Sequence, residues 1–203
     1  MLRNGIRGTA IVALAALLIT AGPMIISAEA SDAQAGADQA IETMIGAIKD
    51  GNDPIRNRMF FRLRDIGEPA VDPLIAAYSG NRDLAVRQYI IKVLGWVGGE
   101  KAYEFIAGKI GDPQAGIRQK AAESLCTIED ERGIPLLIQA LDDADPDVRI
   151  AAIVSLGVME VPQAIEPLKK KLDDPEKRVA QFAQNYLELL AITYPEAATG
   201  GEQ

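Results

Sequence analysis

The chain has 203 residues, with 29 Asp and Glu against 21 Lys and Arg, no His and a single Cys. Without imidazole there is no His-based triad, no His general base and no His-containing metal site of the common kinds, and one Cys makes no internal disulfide, CxxC redox centre or thiolate zinc cage. A net charge of −8 argues against capture of nucleic acid, which needs a basic stripe.

The first thirty residues differ from the rest. Arg3 and Arg7 give a short positive start, Gly8 to Ala28 carries no charge, and Ile11 to Ile19 is continuously apolar. Gly22-Pro23 breaks the run, and Ala28-Glu29-Ala30 puts small residues where signal peptidase needs them. This layout predicts a secretory signal peptide over residues 1–30, cleaved after Ala30, and a periplasmic or secreted mature chain. The competing reading is a retained anchor, since the uncharged run is just long enough to span a bilayer; Gly22-Pro23 and the cleavage pattern weigh against it. The two arginines are not adjacent and no Cys lies near the apolar run, so neither a twin-Arg nor a lipoprotein signal fits.

Residues 31–37 are small and polar and read as a flexible linker. From Asp38 to Lys49 a helix is expected, with Ile41, Met44, Ile45 and Ile48 on one face and a stop at Gly51, as in an N-terminal cap. A repeat follows. Arg56, Arg87, Arg118, Arg149 and Arg178 stand 31, 31, 31 and 29 residues apart, each after an apolar residue or its equivalent. Seven residues beyond the first four come Leu63, Leu94, Leu125 and Leu156. Asp53-Pro54, Asp112-Pro113, Asp145-Pro146 and Asp174-Pro175 read as helix starts, Asp capping free N–H groups and Pro pre-setting φ. In each repeat a second column, Ala70, Ala102, Gly133 and Ala164, leads an apolar stripe four and eight residues on, which is one face of a second helix. Residues 174–192 read as a single closing helix and 193–203 as a disordered tail.

Short helix pairs cannot bury their apolar faces alone, so neighbours must stack. The expected fold is all-α, an α/α superhelix of about four helix-pair repeats with terminal capping helices over residues 38–192. The repeated DP-x-VR-x-x-A…LG…A-x-P-L-I pattern, best copied in Asp145 to Gly157 (DPDVRIAAIVSLG), resembles HEAT repeats of the phycobilin-lyase type across residues 52–190. The resemblance implies that the first helix of each pair lies on the convex side and the second on the concave side. It also implies that the Asp and Arg columns, Arg56, Arg87, Arg118, Arg149, Arg178 and Asp145 among them, tie adjacent repeats together. Deoxyhypusine hydroxylase holds iron on this scaffold through His-Glu pairs, and here no His exists to do so. Phycobilin lyases attach or carry a tetrapyrrole on it.

Three features bear on function. Cys126 falls in the small-residue column of Gly95 and Gly157 and reads as packing. Positions two, five and nine after each Arg point away from the Leu column, which puts Phe61, Tyr89, Lys92 and Trp96 on an exposed face of the first helices, an aromatic and cationic composition typical of binding hot spots. On the second helices Asp72, Glu104 and Glu166 recur as an acidic stripe that could accept a basic peptide or a cation. The reading is a monomeric, non-enzymatic scaffold that binds a protein partner, with no cofactor, metal or nucleic acid. The alternative is a ligand- or tetrapyrrole-carrying protein on the same scaffold.

Overall fold

The computed structural model describes residues 31–194; the signal-peptide assignment and the tail beyond Tyr194 fall outside them, while Thr193, expected in the tail, ends the closing helix and Tyr194 packs against the core. Among the described residues the structure is helical, without strands. Helix α1 spans residues 31–49. It is followed by α2 (Asp53–Ile66), α3 (Val71–Gly80), α4 (Leu84–Val97), α5 (Glu100–Ala107), α6 (Ala115–Ile128), α7 (Ile134–Ala140), α8 (Pro146–Val158), α9 (Ile165–Lys169) and α10 (Lys177–Thr193). Residues 31–37, expected as a linker, are the first two turns of α1, and Ala37 is buried. Ala33, Ala35 and Ala37 favour helix, and the turn at Gly36 lies near Arg62 and Ile66 of α2.

The even-numbered helices α2 to α10 carry the Arg and Leu columns. Leu63, Leu94, Leu125 and Leu156 are all buried, as are Leu74, Ile106, Leu137 and Leu168 of the odd-numbered helices, so one continuous core runs between two rows. Even-numbered helices pack tightly on one another: α4 on α6, α6 on α8, α8 on α10. Small residues make this possible. A Cβ on Gly95 would fall 2.9 Å from Ser124 Cβ, and one on Gly157 would fall 1.7 Å from the Tyr186 ring. The Ser124 hydroxyl donates to the Ile91 carbonyl at 3.3 Å and the Ser155 hydroxyl to Ala122 at 3.0 Å, which satisfies both where they are buried between helices. The odd-numbered helices α3 to α9 approach one another much less.

In a stack of two-helix layers the row with the closer spacing is the inner edge of the curve. The helices bearing the Arg column therefore line the concave side, the reverse of the placement expected for them. The convexity of a row depends on interhelical distance, which the apolar periodicity of a single helix does not encode.

Helix starts follow two columns where the sequence suggested one. Asn52, Asp83, Gln114, Asp145 and Glu176, each 31 residues from the next, are the N-caps of the even-numbered helices. All but Gln114 accept a backbone N–H through the side chain. Asn81, Asp112, Asp143 and Asp174 form the other column, two residues earlier. Each accepts the N–H two residues on, at 2.8–3.0 Å, in an Asx turn. The Asp-Pro dipeptides straddle both columns: Asp145 is a cap, Asp112 and Asp174 are turn residues, and Asp53 is the first helical residue after its cap Asn52.

Candidate functional site

The Arg column is built into the joints between repeats. Arg118 reaches Asp143 of the next repeat with two parallel N–H bonds of 2.7 Å, while its other nitrogen donates to the Asp112 and Pro113 carbonyls of its own repeat. Arg149 repeats this with Asp174, at 3.0 and 2.7 Å, and with the Asp143 and Ala144 carbonyls. Such bidentate, charge-assisted pairs specify geometry as well as attraction. The Arg118 bonds hold the Asp143 carboxyl below its ordinary value. For Asp174, burial pushes the carboxyl up, but the Arg149 bonds and the Glu176 N–H outweigh it and leave it lowered.

The Asp145 assignment is corrected: it caps α8 by accepting from the Asp147 and Val148 N–H groups, and the acceptor between repeats is Asp143, two residues earlier. The ladder also weakens towards its N-terminal end. Arg87 lies 3.6 Å from Asp112 and bonds Gln114 at 3.1 Å and the Tyr78 hydroxyl at 2.5 Å. Arg56 pairs within its own repeat, with Asp53 at 2.9 Å, because Asn81 occupies the turn position that would supply the next carboxylate. At the other end the exposed Arg178 turns back to Asp147 at 2.9 Å.

The aromatic residues meet on the concave row. Phe61 and Trp96 are 51% and 52% exposed, so α1 does not cover them. They do not stand alone: Phe60, absent from the sequence reading, lies at the centre, edge-on to Phe61 at 5.3 Å, Trp96 at 6.0 Å and Tyr89 at 6.4 Å. Edge-to-face geometry of this kind adds stability beyond area burial. The Lys92 ammonium lies 5.6 Å from the Phe60 ring and 5.5 Å from Tyr89, Arg56 lies over Tyr89 at 5.1 Å, and Arg64 over Phe61 at 5.1 Å. Burial, partly offset by Arg56, pushes the Tyr89 phenol up. The signal that could have found Phe60 is its column: four residues after each Arg stand Phe60, Ile91, Ala122 and Ile153, and the last three are buried between helices.

Beyond Trp96 the trough opens into a cleft of about 480 Å³ lined by Trp96, Cys126, Thr127, Glu129, Val158 and Met159. Val158 is 60% exposed there. Cys126 is half-buried on the cleft wall. Burial and the Glu129 charge both push its thiol up, which leaves it a poor nucleophile.

The acidic stripe lies away from the concave side. Asp72, Glu104 and Glu166 sit on the convex row, Asp72 neutralised by Lys101 at 2.7 Å and Glu166 by Lys169 at 2.7 Å. Lys109, on the same row, lies over the Tyr78 and Phe105 rings. The groove thus carries aromatic and cationic groups where the expected one was acidic. Among the described residues no group of three or more His, Cys, Asp and Glu side chains is placed to hold a metal, and no helix is long and apolar enough to cross a membrane.

The model of the HEAT-repeat family matches residues 41–125 and 105–188. The chain belongs to the HEAT-repeat family. Among solved structures, this HEAT chain is similar to human deoxyhypusine hydroxylase, at 29% identity over 66% of its length with a TM-score of 0.53, and it spans 46% of that enzyme. It is also similar to the complex of CpcE and CpcF of phycocyanin lyase from Nostoc sp. PCC7120, at 22% identity over 73% of its length and 98% of that chain, with a TM-score of 0.60. The second likeness carries the fold alone. No curated protein sequence gives a significant match.

Proposed function

We propose that this HEAT protein is an exported, non-enzymatic scaffold that binds a protein partner, as a monomer, through its concave trough. The observation that carries the reading is the half-exposed pair Phe61 and Trp96 held around Phe60 on the inner row. Large apolar rings left open to water, rimmed by Lys and Arg, are the composition of binding hot spots. Stacked helices whose C-terminal rungs fix the curvature present them already assembled, so the freedom lost when a partner docks is confined to the tilt of α2 on α4. Export rests on the signal-like layout of residues 1–30.

A photo-crosslinking residue at position 96 should join the protein to a partner in intact cells, and the same residue at position 104 on the convex row should not. Equal cross-linking from both positions would remove the trough from the argument. N-terminal sequencing of the protein from the envelope fraction should begin at Ser31; recovery of the full-length chain from the cytoplasm would overturn export. The cleft of about 480 Å³ falls in the size range of small-molecule sites and supports a second reading, a carried tetrapyrrole or similar ligand. A visible absorption band on the purified protein after incubation with a tetrapyrrole would favour that reading over the first.

A further inference from the structure

We propose that the concave trough receives an acidic peptide segment of the partner, carrying at least one bulky apolar side chain; this deepens the protein-binding reading and rests on it. The trough has two chemically distinct ends. On α2 and α4, Arg58 and Lys92 are exposed, and among the described residues neither has a carboxylate within ion-pair distance. Among the described residues Lys49, Arg62, Arg82, Lys109, Lys170 and Lys177 also lack such a partner, whereas Arg64, Lys101, Lys120, Arg132, Lys169, Lys171 and Arg178 have one; Lys92 differs from the other free cations in its seat on the aromatic cluster of the trough. Lys92 is also held in position by the Phe60 and Tyr89 rings, so its charge is presented to the trough at small entropic cost.

At the other end, Trp96, Val158 and Met159 form the apolar wall of a cleft whose remaining lining is Cys126, Thr127 and Glu129. Its rim carries Glu129, exposed and without an ion-pair partner among the described residues, while Glu123 on the neighbouring turn is engaged by Lys120. Glu129 disfavours carboxylates at that end. The charge pattern therefore orients the ligand as well as attracting it: carboxylates over Arg58 and Lys92, an apolar side chain between Trp96 and Val158. The net negative charge of the chain opposes binding of the same segment elsewhere.

Trp96 is the only Trp in the sequence, so the intrinsic fluorescence of the protein reports from the proposed site. A random twelve-residue display library is selected against the full chain, recovered peptides are titrated against Trp96 emission, and each is compared with a version in which Asp and Glu become Lys. Recovered peptides should combine Asp or Glu with Phe, Leu or Ile and should shift Trp96 emission. Arg58→Glu and Lys92→Glu, both at exposed positions, should each weaken them about tenfold, while Glu129→Gln should leave affinity equal or improved. Circular dichroism confirms that the variants are folded. If neutral or basic peptides are recovered and shift Trp96, or if the charge reversals change nothing, the acidic assignment falls and the scaffold reading stands. If no peptide is recovered, or recovered peptides leave Trp96 untouched and compete with nothing in the trough, the peptide-receptor proposal and the use of this trough fall together.

Discussion

Gly157→Ala tests the close packing of the concave row directly. A methyl built on Gly157 would lie 1.7, 2.2 and 2.5 Å from Tyr186 Cδ1, Cε1 and Cγ, where apolar carbons prefer about 3.5–4 Å. The Tyr186 ring must retreat by roughly 2 Å, and α10 with it, because α10 packs on α8 through this contact. Overpacking of this order costs about 1–3 kcal/mol, and the ring also surrenders part of its burial, about 1 kcal/mol. The better helix propensity of Ala returns about 1 kcal/mol. The net expectation is a loss of about 1–3 kcal/mol, or a Tm lowered by a few degrees. The sign should reverse once the ring is gone: in a Tyr186→Ala background the clash vanishes and only the propensity remains, so Gly157→Ala should stabilise by about 0.5–1 kcal/mol. Urea unfolding of the four proteins, followed by circular dichroism, closes the cycle. Equal destabilisation by Gly157→Ala in both backgrounds would show that Tyr186 is not what keeps this position free of a side chain.

Three further outcomes follow from the ladder and the helix ends. Asp143→Asn removes the anion from the Arg118 pair, whose side chains are 16% and 13% exposed, and should cost about 2 kcal/mol at pH 7, less than the 3–5 kcal/mol of a fully buried pair. The Asp143 carboxyl is lowered in the folded state, so its contribution is fully present above the unfolded value near 4 and is lost as pH falls through the folded one. Wild type and variant should therefore differ by a constant amount from pH 7 to about 5 and converge in acid, as read by denaturant titration at each pH. Asn81→Asp should stabilise by up to about 1 kcal/mol, by giving Arg56 the carboxylate that Arg118 and Arg149 already have; slower hydrogen exchange in α2, with none gained in α8, is the measurement. Glu129 and Glu160 hold φ of 58° and 51° at the helix ends where Gly67 and Gly98 stand in earlier repeats, so Glu129→Gly and Glu160→Gly should each raise thermal stability by about 0.5–1 kcal/mol.

Much of this architecture was legible because a solenoid writes its geometry once per repeat. The Leu columns, spaced by 31, predicted which side chains are buried, and the Arg column predicted a tie between repeats that Arg118 and Arg149 make. The failures have a common physical cause. Asp-Pro dipeptides look alike in sequence, but a cap must face its own helix and a rung must face the next repeat, and these positions lie two residues apart. The concave side, and with it the place of Asp72, Glu104 and Glu166, is decided by how closely two rows approach. That depends on Gly95, Gly157, Ser124 and Ser155, whose small size was visible but whose partners across the joint were not. Phe60 carries no signal of its own because it occupies a core column, which at its N-terminal layer is only half covered.

The ladder and the trough share one axis, and they run in opposite directions along it. Rungs are bidentate at Arg118 and Arg149, looser at Arg87 and confined to a single repeat at Arg56. The aromatic and cationic end of the trough lies on α2 and α4, where the rungs are weakest and where the two helices touch less extensively than α4 and α6 do. Bidentate pairs fix the angle between layers; without one, α2 is held to α4 by core packing at Met59 and Leu63 and by the Phe60 ring contacts, which tolerate small changes of tilt better than a two-point hydrogen bond. The part of the molecule that would meet a partner is therefore the part whose layer angle can adjust, while the C-terminal layers hold the curvature. Asn81 is then more than a lost rung. A carboxylate there would stiffen α2 against α4, and the same Asn81→Asp substitution that raises stability should narrow the range of peptides the trough accepts.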